Sequence, residues 1–482
     1  MKFLAKLEKG RDIWILIWSC VLFFLLRLPS LFEPRWYGDE GIYQVIGLAL
    51  RDGGLLYRDT YDNKPPLLYL IYALGNADQF WIRLMSLIVG ILTIVTLLFL
   101  AKKLFINNKA VYVSVFFFSI TFGVPYFEGN IANAENFMLL PILLAGYFVF
   151  EYEAKHTRFL FLAGTLLSLA FLIKIVGLFD AVAFGVFLVI QNYTSLRNVV
   201  QTELKRLFPL IIGFLIPIFL TGAFFYFHGA LSLFISAAFQ QNVGYVGYGN
   251  TFIIPQGLLI LKLVALGATC FYLFIKRRSI SPAFMFILLW LMFSLFNAYF
   301  SGRPYTHYLL VLLPSFSLLI GTLFETAKKR TVQIILVIGI SLLVYKSFDL
   351  YTKTPQYYGN FLSFMTGGKS LSDYRGFFDK RTPMDYDLTR YLKEHMEKND
   401  RIFLWGNSAQ VYALVKTPPP GRYAVAYHIL WSEAAIRETT ADLKLIKPRF
   451  IILTSVQPFP FNLNGYAYTY TIGDMNIYEK IR

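Results

Sequence analysis

Charge is what this sequence has least of. Only 15% of its 482 residues are Asp, Glu, Lys or Arg, against about 25% in an ordinary soluble chain. That deficit excludes a conventional water-soluble domain for most of the length. Cysteine is nearly absent: Cys20 and Cys270 both lie inside apolar runs, so neither a disulfide framework nor a cysteine-based metal site is expected. The five histidines are scattered, with no pair at the spacing of a helical metal site. No glycine-rich phosphate cradle is present, which argues against a nucleotide-sugar substrate. Internal repeats, heptads and low-complexity tracts are also missing, whereas many secondary transporters show two related halves.

What fills the chain is apolar: 56% hydrophobic and 18% aromatic residues, gathered into windows of about twenty that predict about eleven membrane spans. The first window follows MKFLAKLEKGR. It has the charge order of a signal peptide, but the run is too long and no cleavage site follows, so it reads as an uncleaved first span. Windows 158–176 and 178–192 are separated only around Gly177, which leaves a hairpin and a broken helix both open. The net charge of +16 comes from short clusters between spans: Lys2, Lys6, Lys9 and Arg11; Lys102, Lys103 and Lys109; Arg197, Lys205 and Arg206; Lys276, Arg277 and Arg278; Lys328, Lys329 and Arg330. With eleven spans all of these fall on one side, which the positive-inside rule makes the cytoplasm. Nucleic acid is not expected as a partner. The N-terminus is then cytoplasmic, and the loop 33–79 and the segment after 349 are extracytoplasmic.

The expected fold is therefore a polytopic α-helical membrane domain, 1–349, with a large first outer loop, followed by a soluble α/β domain, 350–482. In that tail RIFLWG and RFIILTS read as strands. DLTRYLKEHMEK reads as an amphipathic helix capped by Asp387, and Gly473-Asp474 as the turn of a closing hairpin.

The chemistry concentrates in the first loop. WYGDEGIYQ places Asp39 and Glu40 at the start of a segment with one apolar helical face, closed by Gly53-Gly54. A short helix lying on the membrane surface is expected, with Asp39 either its N-cap or a reactive carboxylate. Lys64-Pro65-Pro66 holds Lys64 on an extended turn where the chain becomes apolar again. A lysine there either anchors the chain at the interface or meets a lipid phosphate. Lys174 stands in an apolar run, where a charge is costly and marks a functional site by default. Arg27, near the end of the first span, reads as a snorkelling anchor. The loop QQNVGYVGYGN at 240–250 is either a sugar-stacking or an interfacial segment.

Asp39-Glu40, then Gly54-Leu55-Leu56-Tyr57-Arg58-Asp59 and Lys64-Pro65-Pro66, resemble the first loop of the GT-C glycosyltransferases. The nearest branches are the dolichyl-phosphate-mannose–protein mannosyltransferases, the aminoarabinose transferases and the rhizobial galacturonosyltransferase-like proteins. Glu135 in EGNIANAENFMLLP, Lys174 in FLIKIVGL, and Arg303, His307 and Tyr308 in GRPYTHYLLVLLP resemble later family positions.

The resemblance covers about 1–350. It implies a polyprenyl-phosphate donor carrying one sugar and inversion at the anomeric carbon. It also implies Asp39 as general base with Glu40 as second candidate, and substrate contacts from Tyr57, Arg58, Asp59, Lys64, Glu135, Lys174, Arg303, His307 and Tyr308. The acceptor, whether glycolipid, polysaccharide or protein, stays open. No cofactor is required, and a divalent cation, although compatible with the acids, is not indicated. The metal-using oligosaccharyltransferases would bring a Trp-Trp-Asp motif, where this tail offers only LWGN and LWSE. The membrane expected is a bacterial inner membrane. The alternative is a lipid-linked sugar or polysaccharide transporter or flippase, which would need repeats and charges at mid-membrane.

Overall fold

The computed structural model describes residues 10–151, 157–195, 204–243, 257–325, 330–454 and 458–481. Lys2, Lys6, Lys9, Arg197, Lys328, Lys329 and most of the 240–250 loop lie outside the described residues, as does the side chain of Arg206. Among the described residues, nine helices are long and apolar enough to cross a membrane, from Arg11–Phe32 to Arg330–Ser347. Arg158–Ile173 is apolar but shorter, and Asn108–Gly123 occupies a further predicted window. The protein is thus a multi-pass membrane protein.

Several span hydroxyls are satisfied within their own helix, as lipid favours. Thr93, Thr96, Ser114 and Ser119 each donate to the carbonyl four residues earlier. Two spans touch through glycine. A Cβ on Gly164 would fall 2.0 Å from the Leu210 carbonyl oxygen, and one on Gly213 would fall 2.1 Å from that of Phe161. Helices Arg158–Ile173 and Leu204–Phe227 therefore cross backbone to backbone, as small residues permit in membranes. Between windows 158–176 and 178–192 the chain breaks at Lys174. Helix Arg158–Ile173 ends, Lys174 is extended (φ −152°, ψ 129°), a 3₁₀ turn covers Ile175–Gly177, and helix Leu178–Asn192 follows. Arg27 departs from expectation. Instead of snorkelling it is fully covered, donating to Ser86 Oγ at 3.2 Å above the Phe23 ring.

The chain forms two units: 1–28, 86–226 and 240–354 in one, and 29–85, 227–239 and 355–482 in the other. The second holds a four-stranded sheet of β1 (Ile402–Trp405), β2 (Phe450–Thr454), β3 (Tyr466–Ile472) and β4 (Met475–Lys480), in the order β1-β2-β4-β3. β1 and β2 are parallel and the other pairs antiparallel. Both predicted strands and the hairpin turning at Gly473 are present. The helix before β1 runs Thr382–His395, with Pro383 in its first turn. Asp387 is therefore no cap but an interior residue paired with Arg390 at 2.9 Å. The Thr-Pro start, whose proline suits a first helical turn, overrides it.

Candidate active site

The first loop folds around helix Gly38–Arg51. Tyr37 takes the N-cap position, so Asp39 and Glu40 fall in the first turn, and the helix ends before Gly53 in a left-handed conformation (φ 87°). Residues 40–47 are all buried, so this is not a surface helix. It is packed within its unit, and its glycines are what let neighbours close. A Cβ on Gly47 would meet the Ala73 backbone at 3.1 Å, and one on Gly41 the Gln410 nitrogen at 2.7 Å.

The two adjacent acids face opposite fates. Glu40 is sealed: Arg83 holds it by two hydrogen bonds of 3.1 and 2.5 Å. The same guanidinium reaches Glu33 at 2.7 Å and the Ser30 carbonyl at 2.8 Å. Glu33 also accepts from Tyr357 and Trp36. Asp39 stays 37% exposed. It accepts from the Tyr43 hydroxyl at 2.9 Å and lies 3.7 Å from Lys64 Nζ. Burial, and then the charges of Asp39 and Asp62, push the Tyr43 phenol well above its ordinary value, so it remains a donor.

Lys64 is poised between carboxylates, 3.4 Å from Asp62 as well as 3.7 Å from Asp39, and 4.8 Å above the Tyr43 ring. Its backbone is fixed on both sides. Tyr57, in a left-handed conformation (φ 69°), donates to the Lys64 carbonyl at 2.7 Å, and the Lys64 amide donates to Tyr69. Pro65 is extended and Pro66 opens a nine-residue helix. Asp62 accepts from Tyr69 at 2.7 Å and lies 3.7 Å from His428 Nε2. Burial pushes that imidazole down to about 4, against the pull of Asp62. Arg58 and Asp59 stand apart from this cluster as an exposed mutual pair at 2.8 Å, with Asp59 also capping the Leu55 amide.

The other unit holds a second cluster. Glu135 lies in the first turn of helix Ala134–Glu151 and pairs with Lys174 across the helix break. Lys174 Nζ sits 4.4 Å above the Tyr308 ring. His307 Nδ1 is 3.1 Å from Glu128, and its ring stacks on Tyr305. Arg303 is half-buried in the same loop, its amide donating to Ser301. Among the described residues, no group of three or more His, Cys, Asp or Glu side chains is placed to hold a metal ion.

Sequence reasoning overlooked Arg83, Asp62, Glu128, His428 and Lys262. Arg83 and Lys262 each interrupt an apolar run, a signal available from sequence. Asp62 lies in the first loop between Asp59 and Lys64, and Glu128 opens the stretch EGNIANAENFMLLP. His428 lies far along the chain, and only folding reveals it.

Residues 63–221, which include Lys64, Glu135 and Lys174, match the family model of dolichyl-phosphate-mannose-protein mannosyltransferases. That likeness spans about a third of the chain, and over that stretch the chain is similar to membrane glycosyltransferases of this kind. Its fold is similar to that of ArnT from Cupriavidus metallidurans bound to undecaprenyl phosphate, at 13% identity over 98% of each chain, with a TM-score of 0.55. A structure of the Archaeoglobus fulgidus oligosaccharyltransferase aligns at 12% identity over 92% of this chain and 69% of that one, with a TM-score of 0.47. No curated protein matches the chain significantly in sequence.

Proposed function

We propose that this protein is a membrane glycosyltransferase that moves one sugar from a polyprenyl-phosphate donor to an extracytoplasmic acceptor with inversion, Asp39 serving as general base. The observation that carries the reading is the contrast between the adjacent acids. Asp39 presents an open carboxylate beside a lysine, whereas Glu40 is consumed by Arg83. Inverting transfer needs a carboxylate to take the acceptor's proton while the leaving group departs from the opposite face. A helix N-terminus and a tyrosine hydroxyl both favour the ionised base.

A lipid phosphate leaves as an anion, so it calls for cations rather than an acid. The candidates for that role are Lys64 in one unit and, in the other, Lys174, Arg303 and His307, with Glu135 and Tyr308 holding Lys174 in place. The ArnT structure with undecaprenyl phosphate supports this class of donor. The lysines supply the charge directly, so the reading calls for no metal, and a chelator should leave the rate unchanged. Lys102, Lys103 and Lys276 in the last turns of their spans support a cytoplasmic N-terminus in a bacterial inner membrane, with the C-terminal segment outside.

The test uses the purified full-length protein and undecaprenyl phosphate, read by native mass spectrometry, alongside transfer from a membrane lipid extract. Lipid binding that weakens in Lys64→Ala, with transfer lost but binding kept in Asp39→Asn, is the expected result. Undiminished turnover in Asp39→Asn would remove the base assignment. Absent lipid binding together with sugar-lipid translocation would favour a transporter.

A further inference from the structure

Helix Thr382–His395 carries a carboxyl group that this chemistry leaves unused. Asp385 is fully buried, and Gln410, also buried, donates from Nε2 to its Oδ2 at 2.7 Å. Two acceptors are left over, Asp385 Oδ1 and Gln410 Oε1, both buried without a hydrogen-bond partner; Arg381 Nε and Nη2 are likewise unsatisfied, and at 3.6 Å Nε is too far to serve Oδ1 as a hydrogen bond. An ionised carboxylate cannot answer an amide carbonyl, since both only accept. One proton on Oδ1 would make a donor of one orphan and supply the other, closing an acid–amide pair with two hydrogen bonds. Leaving two buried acceptors unsatisfied is the costlier alternative.

The charges facing Asp385 are few. Arg381, one turn earlier, brings Nε to 3.6 Å but also reaches Asp474, from the β3–β4 turn, at 3.5 Å. Asp379 adds repulsion, and Ser408 and Gln410 contribute neutral groups. Helix Gly38–Arg51 presents Gly41 to Gln410, and its Glu40 is held by Arg83. Burial outweighs the arginine and pushes the Asp385 carboxyl up to about 7.

Gln410 is where this pair meets the helix of Asp39. A Cβ on Gly41 would fall 2.7 Å from the Gln410 backbone nitrogen and 3.2 Å from its side-chain Oε1. The helix therefore rests on Gln410 two residues beyond Asp39. We propose that protonated Asp385 is a positioning residue for Asp39: it locks Gln410 in a closed acid–amide pair, and Gln410 seats the first turn of the helix that bears the base. The inference rests on the assignment of Asp39 made above.

Asp385→Asn tests it, because an asparagine amide can form the same two-bond pair at every pH and cannot ionise. In the full-length protein, wild-type transfer should fall several-fold as pH rises through about 7, with KM little changed. Asp385→Asn should abolish that fall while keeping neutral-pH turnover. The wild-type-minus-Asp385→Asn difference infrared spectrum should show one protonated-carboxyl band that bleaches over the same pH range. Superimposable pH profiles, or no carboxyl band in that difference spectrum, would overturn the proposal. If Asp39→Asn retained transfer, the base assignment would fail, while the infrared bands would still decide whether the acid–amide pair exists.

Discussion

The first-loop cluster and the span cluster each set a lysine against carboxylates, and they differ in how tightly. In the loop, Lys64 lies 3.4 and 3.7 Å from two acids, and Asp39 keeps over a third of its surface open. In the span, Glu135 and Lys174 are in direct contact, and the glutamate side chain is only 2% exposed. Cost accounts for the difference. A charge inside an apolar run must be neutralised continuously or it destabilises the span, so Glu135 is committed to Lys174. A base must exchange partners during a reaction, and Asp39 stays over a third exposed, with the Tyr43 hydroxyl and, at the edge of contact, Lys64 among its neighbours. The same contrast recurs between neighbours in sequence, with Asp39 open and Glu40 locked.

The sharpest way to break the comparison is to neutralise both neighbours separately. Asp39→Asn should lower transfer by roughly 10²–10⁴-fold, the usual range for a general base, with the melting curve little changed. Glu40→Gln should do the reverse. It removes one of the two carboxylates that hold Arg83 in a buried site, leaving Glu33, and breaking such a pair costs up to about 3–5 kcal/mol. The result to look for is a lower melting temperature, with near-normal turnover in whatever protein stays folded. If Glu40→Gln abolished transfer without loss of stability, the division of labour between the two acids would be reversed.

Next in size is the span cluster. Lys174→Met should weaken undecaprenyl-phosphate binding by roughly 10–100-fold, as expected for losing a charge-assisted contact of about 1.5–3 kcal/mol. It also leaves Glu135 without its lysine, so some stability is lost too. The double substitution Glu135→Gln with Lys174→Met separates these effects. Stability should recover, because no charge remains uncompensated, but lipid binding should not. Recovery of both would make the pair purely structural.

Much of this was legible in the sequence for physical reasons. Spans are announced by uninterrupted apolar length, so their windows match the helices. The strands at 402–405 and 450–454 are short apolar runs, and the hairpin turns on a glycine. What was hidden follows from packing. WYGDEGIYQ has the amphipathic pattern of an interfacial helix, but nothing local says that Gly41 and Gly47 admit two other segments of the chain. Asp387 has the residue type of a cap, yet the helix starts earlier at Thr382. The roles of Asp39 and Glu40 could not be told apart before folding, because the partner that decides between them, Arg83, is 43 residues away.

The smallest expected effect concerns the far side of the loop cluster, where His428 lies beside Asp62. Its folded-state value, about 4, is below the ordinary 6.5 because burial disfavours the imidazolium. Between those values the unfolded chain binds more protons than the folded one, so stability rises with pH across that window. The contribution is complete above pH 6.5 and is lost as pH falls toward 4. From pH 6.5 to pH 5 the loss amounts to about 1–2 kcal/mol. Asp385 works in the opposite sense: its raised value means the folded state holds the extra proton, so its contribution declines as pH rises from 3.8 toward 7. The bare pH dependence of melting is thus a partial cancellation, and the informative quantity is a difference. His428→Gln cannot charge, so the drop in melting temperature between pH 6.5 and pH 5 should be smaller in the variant than in the wild type. Equal drops would mean that His428 is already solvated in the native protein. The loop cluster would then be open on both of its sides, rather than only at Asp39.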